Sequence, residues 1–363
     1  MSYFYVFIRR LSEMIQFRDL KYLLAYSIPL MVGIGFLFGG FWTYLTPVYA
    51  FGLLPLLDWI VGEDSSNLNK EEAKTKNHHF FYDLMLFLNV PIVFGILAYG
   101  FYWYNHFENT TFEIIGMTLS VGIVLGTNAI NVAHELGHRK PYFYRFISKL
   151  FYLPCFYMHF YIEHNFGHHL HVATPKDGAS AKQNQSIYSF WITSVFKQYT
   201  HAWKRQMELL KMRKKSFFSI YNDMLWFLFF QLGYTVLMWY LFSVEGLIFT
   251  FSIALIAVLL LESINYIEHY GLQRNKLNNG FYERVEPIHS WNSDHKIGRI
   301  VLYELTRHSD HHFKADKKYQ LLNSHKESPT LPFGYPLAIL VGLIPPLWFT
   351  IMNKRIPQSN IVK

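Results

Sequence analysis

The sequence predicts an all-α protein: a bundle of six transmembrane helices with a histidine-rich site for two metal ions on the cytoplasmic side. Two observations lead to this fold class. Lys and Arg are absent from residues 77–138 and from 216–273, and each gap has room for two spans of about 20 residues. The histidines are grouped, mostly at or near predicted span ends. The composition alone decides little, because at 52% hydrophobic it is close to the roughly 45–50% of soluble chains.

Six apolar segments are the predicted spans. Connectors free of Lys and Arg join the third span to the fourth and the fifth to the sixth, as is typical of external turns. The positive-inside rule assigns both termini and two cation-rich inserts, 139–215 and 270–363, to the cytoplasm. We expect residues 1–363 to form one integral-membrane catalytic domain. The predicted spans are 22–42, 43–61, 80–104, 112–133, 224–243 and 245–265.

Two further apolar segments are not predicted to cross the membrane. Segment 143–162 contains Arg145 and Lys149, which favours an interfacial or buried helix. Segment 331–352 is interrupted by four prolines, which favours a short hairpin at the membrane surface.

The charge and the single cysteine exclude several classes of protein. The net charge of +8 does not indicate nucleic acid, because the cations are confined to predicted cytoplasmic segments. An anionic membrane leaflet and an acidic protein partner account for them. Cys155 is the only cysteine, so an internal disulfide and a thiolate metal site are excluded. The first apolar run lacks a small-residue cleavage pattern, and we expect an anchor there rather than a signal peptide.

Nine of the 18 histidines form four groups with the spacing of metal ligands. On a helix, i,i+3 and i,i+4 neighbours share one face, and neutral imidazole is a good ligand for iron, copper, zinc or nickel. Nine imidazoles exceed what one first-row metal accepts, so two metals are expected. The candidates are His134 and His138 in HELGH, His164, His168 and His169 in EHNFGHH, His269 in NYIEHYG, and His308, His311 and His312 in RHSDHH.

Alternative interpretations of these histidines are weaker. A single histidine is more often a core or surface residue than a ligand, but chance does not explain four groups. HELGH also fits the HExxH pattern of zinc proteases, although that site would leave at least six grouped histidines unused. His171 follows His168 by three residues and is a doubtful case, which we leave out of the set.

The motifs resemble those of the integral-membrane alkane 1-monooxygenases, within the membrane fatty acid desaturase and hydroxylase superfamily. The similarity extends from about residue 20 to 350. It rests on the histidine-containing motifs HELGHR, EHNFGHH, NYIEHYGL and LTRHSDHH, with LPLLDWIVGED, VATPKD and SWNSDH as further matches. The three-box pattern alone would also admit fatty-acyl desaturases and hydroxylases.

The resemblance implies a di-iron centre with these nine histidines as ligands, and O₂ as co-substrate. It implies hydroxylation of the terminal methyl of medium- or long-chain n-alkanes to primary alcohols, in a bacterial-type inner membrane. It also implies electrons from a rubredoxin, which a rubredoxin reductase refills. A rubredoxin iron needs four cysteines, so with Cys155 alone the donor must be a separate protein.

Several supporting residues follow as expectations. We expect an apolar tunnel between spans one, two and four, where the small Ala50 and Gly52 suggest either room for longer chains or simple helix packing. The residues expected to orient the imidazoles are Asp177, Asn265, Glu268 and Asp310. The basic surface for rubredoxin, or for solvent and lipid, comprises Lys204, Arg205, Lys211, Arg213, Lys214 and Lys215.

Three alternative functions stay open at this point. A membrane fatty-acyl desaturase and a xylene-type methyl monooxygenase would use a related site. A membrane metal carrier or sensor is the non-enzyme alternative, but it would need polar groups within the spans, and few are present.

Overall fold

The computed structural model describes residues 17–357, and these residues are mostly helical. Within them the only β-type pairing consists of isolated bridges, such as Glu63 with His295. The helices, in chain order, are α1 Phe17–Phe38, α2 Gly40–Val61, α3 Lys70–Asn77, α4 Phe80–His106, α5 Thr111–Gly137, α6 Tyr142–Tyr152, α7 Phe160–Glu163, α8 Ile187–Met212, α9 Asp223–His269, α10 Lys296–Val301, α11 His308–Phe313, α12 Tyr335–Gly342 and α13 Pro345–Met352. Short 3₁₀ turns lie at Pro287–His289 and Tyr319–Leu321.

Five of the described helices, α1, α2, α4, α5 and α9, are long and apolar enough to cross a membrane. Their outer faces present large apolar side chains: Leu30 is 59% exposed, Trp59 79% and Tyr240 82%. Such surfaces suit lipid rather than water. The prediction of a helical protein with several membrane-crossing helices is confirmed.

The 47-residue α9 is broken at Ser243, where φ is +57° and ψ is −161°. Gly39, between α1 and α2, has nearly the same backbone angles. The side chain of Phe156 packs against Tyr234 on one side of the break and Phe251 on the other. The chain therefore reverses at Ser243. This is the residue at which the sequence predicts the fifth span to end.

At the end of the bundle far from the histidines, the carboxylate of Glu113 links the start of α5 to the turn between α1 and α2. Thr110 and Glu113 form a capping box that begins α5. The same Glu113 accepts a hydrogen bond at 2.7 Å from the backbone N–H of Gly40, in the turn between α1 and α2. Gly40 has φ +54°, a conformation that favours glycine.

Segment 142–163 forms a helical hairpin that packs among the spans. Ile147, Phe151 and Tyr152 of α6 are buried, and the ring of Phe151 stacks on Phe94 of α4. The backbone N–H of Met158 reaches the side chain of Gln231, two turns into α9. The interpretation of this segment as an interfacial or buried helix thus fits its position.

Near the carboxyl end, α12 and α13 meet at an angle of 120°. Together they are long and apolar enough for one broken span or a re-entrant loop. Residues 1–16 and 358–363 lie outside the described residues. The prediction that both termini are cytoplasmic concerns these residues and stays a prediction.

Candidate metal centre

The four histidine motifs lie on elements that meet at one end of the bundle. Helix α5 carries His134 in its last turn, with His138 as its C-cap, and α9 ends at His269. His164 and His168 bound a π-helical turn that follows α7, and His169 begins the next short helix. A π turn changes the direction of successive side chains and is common at functional sites. The remaining three histidines lie on α11.

Close packing of α5 on α9 aligns the two span ends. A Cβ atom at Gly122 would lie only 2.5 Å from Ile256 Cβ, so only glycine permits the observed approach. At Gly126, one turn further, the corresponding atom would lie 3.2 Å from Leu260 Cδ1. The small residues thus allow the helix ends bearing His134 and His269 to converge.

The nine histidines separate into two groups, and in each group the candidate ligand atoms all lie within 4.8 Å of one another. One group has five members and the other has four. Each group could hold a metal ion. The five-histidine group is His134, His138, His164, His169 and His311, and the four-histidine group is His168, His269, His308 and His312.

The spacing of the ring nitrogens fits metal coordination. His164 Nε2 lies 3.0 Å from His138 Nε2 and 2.9 Å from His169 Nε2. In the other group, His168 Nε2 lies 3.1 Å from His312 Nε2. At a metal–imidazole distance of about 2.1 Å, two ligands at a right angle would lie about 3.0 Å apart. A single ring nitrogen has one proton or one lone pair, so hydrogen bonding does not explain both His164 contacts.

Burial keeps most of these imidazoles in the neutral, ligating form. It lowers the pKa of His164, His169, His308, His311 and His312 well below the ordinary value, and neighbouring histidines lower it further. Burial also lowers the pKa of His138, to about 3. These rings therefore need lose no proton to bind a metal near neutral pH.

Asp177 orients the ring of His168. Its carboxylate oxygens lie 3.0 and 3.1 Å from His168 Nδ1, so this nitrogen donates the proton and leaves the Nε2 lone pair for a metal. Burial raises the pKa of Asp177, but His168 and the hydroxyl of Ser180 outweigh burial and lower it to about 2. Burial likewise lowers the pKa of His168, but Asp177 outweighs burial and raises it.

The other three residues expected to orient imidazoles lie in different places. Glu268 Oε2 is 3.1 Å from His308 Nε2, on the ring edge that also faces His269. Asn265 hydrogen-bonds to Glu262 and lines a cavity beside the histidines. Asp310 accepts hydrogen bonds from Lys317, His325 and the backbone of Asn323. Within residues 17–357, the side chains of Asn265 and Asp310 hydrogen-bond to none of the nine histidine rings.

The doubtful His171 belongs to neither group, and its Nε2 contacts the guanidinium of Arg205. His289 is buried but pairs with Glu283, at 3.1 Å. His159 is buried beside Tyr157, also outside both groups. The structure thus places these three outside the two groups, including His171, whose spacing from His168 did not exclude it.

Two adjoining cavities lead from the spans to the centre. The outer cavity is lined mainly by apolar side chains, among them Ile28 of α1, Ala50 of α2 and Leu260 of α9. The inner cavity is bordered by His134, His164 and His308, and both cavities share Gly126 and Ile264.

The cavity walls include more of the chain than expected. The outer cavity is lined by spans one, two and four, between which the tunnel is expected, and also by α9, α10 and α12. Ala50 lines the outer cavity, whereas Gly52 is exposed. Tyr335 of α12, which was not anticipated, lines this cavity and donates a hydrogen bond at 2.8 Å to Glu268. Its only sequence signal is its position in a proline-rich apolar segment.

Comparison with known proteins identifies the family to which the chain belongs. A family model described as "Fatty acid desaturase" matches residues 110–338. Alkane 1-monooxygenase 2 of Alcanivorax borkumensis is 36% identical over 87% of this chain and 83% of its own length.

Two relatives from Pseudomonas putida extend the comparison. An alkane 1-monooxygenase is 37% identical over 84% of this chain and 76% of its own length. The xylene/toluene monooxygenase hydroxylase component XylM is 31% identical over 91% of this chain and 87% of its own length. The resemblance inferred from the histidine motifs is confirmed, and the chain belongs to the alkane 1-monooxygenase family, within the fatty acid desaturase family.

Proposed function

We propose that this chain is a di-iron monooxygenase that hydroxylates the terminal methyl group of medium- to long-chain n-alkanes. The observation that supports this most directly is an apolar cavity next to an inner cavity that is bordered by three of the nine converging histidines. An alkane has no polar group for an acid or base to act on, so its substrate site must recognise shape and apolar surface. The alkane 1-monooxygenases among its relatives support the same reaction.

The overall reaction consumes one O₂, two electrons and two protons per alkane, and yields a primary alcohol and water. Bound iron would supply the activation of O₂ and the oxidation of the C–H bond, chemistry that no side chain here provides. The five-histidine and four-histidine groups would each hold one iron. Asp177 would keep the Nε2 of His168 free for its metal.

The chain's own residues determine where the substrate lies. The outer cavity, with a volume of about 50 Å³, would hold the terminal carbons of the alkyl chain, and the shared residues Gly126 and Ile264 would pass its end towards His134 and His308. A narrow passage favours the chain end over internal carbons, because only the end can enter first. The apolar lining also keeps water from the hydrocarbon and from the reacting position.

Electrons would enter where the centre is nearest to solvent. His138 and His169 are partly exposed, whereas the other seven histidines are buried. We propose a separate rubredoxin as the electron donor, which a rubredoxin reductase reduces again. The exposed Lys204 and Lys211 on α8 offer a basic surface to an acidic protein. The proposed location is the inner membrane, with this surface and both termini in the cytoplasm.

The reaction is tested by product analysis with octane and hexadecane, using the purified protein with iron, rubredoxin and its reductase. The expected product is the 1-alkanol. With a fatty-acyl substrate supplied in parallel, an unsaturated acyl product and no alkanol would instead indicate a desaturase. Preferential oxidation of added xylene or toluene, the compounds in the name of the XylM relative, would indicate a xylene-type enzyme.

The ligand assignment is tested by His312→Ala, with His171→Ala as the matched control. His312 belongs to the four-histidine group, whereas His171 lies in the same polar region but in neither group. We expect the first variant to retain about half the iron and to lose turnover, and the second to retain both. Full activity of His312→Ala would contradict the assignment.

A further inference from the structure

The cleft between α6, the end of α8 and the start of α9 is separate from the metal centre and from the alkane cavity. It has a volume of about 250 Å³. A water occupies about 30 Å³ of the liquid, so the cleft has room for a group of several atoms, such as a phosphate. Its polar walls include Arg145, Lys149, Arg213, Tyr161, Gln206 and Asp223.

The charges in this cleft are unbalanced. Three cationic side chains line it against one acidic side chain, Asp223. Lys149 already pairs with that carboxylate, at 2.7 Å. Neither Arg145 nor Arg213 forms an ion pair with any residue between 17 and 357. The cleft therefore has a surplus of positive charge.

One buried donor in the cleft has no partner. The Nε atom of Arg145 is inaccessible to solvent and forms no hydrogen bond with the described residues. A buried donor without an acceptor costs free energy. An anion bound in the cleft would balance the charge of the Arg145 guanidinium, which forms no ion pair with residues 17–357.

The cleft is built in advance of any ligand. Gln206 of α8 donates a hydrogen bond at 2.9 Å to the backbone carbonyl of Tyr221, which holds the wall after α8 in place. Lys149 lies over the rings of Tyr161 and Phe227 and links α6 to α9 through Asp223. A ligand would therefore enter an ordered site.

The surroundings of the cleft indicate where its ligand comes from. Tyr142 and Phe146 on one wall are 74% and 49% exposed, and Phe218 near the other is 85% exposed. Two exposed cationic residues, Lys214 and Lys215, lie between Arg213 of the cleft and Phe218 in the sequence. Exposed aromatic side chains beside cations are typical of the boundary between membrane and water. Asp223 begins a membrane-crossing helix, which places the cleft at that boundary.

We propose that this cleft binds the headgroup of an anionic phospholipid, with the phosphate at Arg145 and Arg213 and the acyl chains beside Phe146. The bound lipid would stabilise the histidine-bearing segment, because Tyr161 and Ile162 line the cleft and His164 follows shortly. This site does not depend on the reaction catalysed at the metal centre.

The test measures lipid binding to the iron-loaded protein in detergent, by native mass spectrometry and thermal shift. The probes are phosphatidylglycerol, phosphatidylcholine and inorganic phosphate. The variant is Arg145→Gln with Arg213→Gln. The matched control is Lys211→Gln with Lys214→Gln, which removes the same charge from exposed positions outside the cleft.

We expect phosphatidylglycerol to bind the unaltered chain and to raise its melting temperature. Each cation removed from the cleft should weaken binding about fivefold, whereas the control should change it little. Should the double variant fail to fold, Arg213→Gln alone, at an exposed position, should still show the fivefold loss.

Four results would overturn the proposal. The first is that the control variant weakens binding as much as the cleft variant does. The second is that phosphatidylcholine binds as tightly as phosphatidylglycerol. The third is that inorganic phosphate alone binds as tightly as the lipid, which would make free phosphate the ligand. The fourth is that the cleft variant keeps its lipid affinity and loses only its reduction by rubredoxin, which would make the cleft part of a protein-docking surface.

Discussion

The contact between Asp177 and His168 allows a quantitative prediction about one half of the metal centre. Asp177 is 4% exposed, and both its oxygens lie within 3.1 Å of His168 Nδ1. Ser180 Oγ and the backbone N–H of Ala179 donate to the same carboxylate and hold it in place. Replacing Asp177 by Ala removes the acceptor, so His168 can turn or move its proton to Nε2, where it blocks the metal.

The magnitude follows from the strength of this interaction. A hydrogen bond to a charged group contributes about 1.5–3 kcal/mol, and loss of a residue that orients a ligand typically lowers metal affinity about 10–100-fold. Asp177→Ala should therefore lower the affinity of the four-histidine group by about 100-fold. Asp177→Asn retains one oxygen acceptor without the charge, and about tenfold is expected. The five-histidine group should be unaffected.

The assay is iron content by mass spectrometry during titration with a chelator. In the variants one of two irons should be lost at lower chelator concentration, and the second at the unaltered concentration. The matched control is Asp58→Asn, another buried aspartate, which accepts hydrogen bonds from the backbone of Ile297 and Gly298. Loss of both irons in parallel, or no change in either, would refute the reasoning.

Three further predictions concern the cavity and the fold. Ala50→Trp places a large ring in the outer cavity. The ratio of hexadecane to octane hydroxylation should therefore fall about tenfold or more. The control Gly52→Ala, at an exposed position, should not change this ratio. Burial raises the pKa of Glu304, but Lys21, Arg299 and Arg307 outweigh burial and lower it. Its stabilising contribution is therefore complete above about pH 4.5 and is lost as the pH falls through the lower folded value. The melting temperatures of the unaltered chain and Glu304→Gln should thus differ most near pH 7 and converge below pH 4.5; a constant difference would contradict this. Ser243→Gly should raise the apparent melting temperature by a few degrees, because a non-glycine residue in this backbone region costs about 1–3 kcal/mol; a decrease would show that Ser243 is unstrained.

Much of the helical architecture could be predicted because lipid imposes a local rule. A membrane-crossing helix must be long, apolar and free of unpaired charge, and the absence of Lys and Arg from 77–138 and 216–273 expresses this rule directly. Of the residues expected to orient imidazoles, Asp177 and Glu268 lie within 3.1 Å of a ring nitrogen of a grouped histidine, whereas the side chains of Asn265 and Asp310 hydrogen-bond elsewhere. Which polar side chain reaches a ring depends on distances of a few ångströms between elements remote in sequence.

The sequence by itself indicated which motifs to consider, because i,i+3 and i,i+4 spacing places imidazoles on one side of a helix. That spacing does not select His269, which has no such neighbour, and it does not exclude His171. Only the tertiary structure decided how the nine grouped histidines divide. His168 and His169 are neighbours in sequence, as are His311 and His312, yet in each pair one residue belongs to the four-histidine group and the other to the five-histidine group. Adjacent side chains on a helix point about 100° apart. Which way each one faces is therefore set by the packing of the spans and α11 around it.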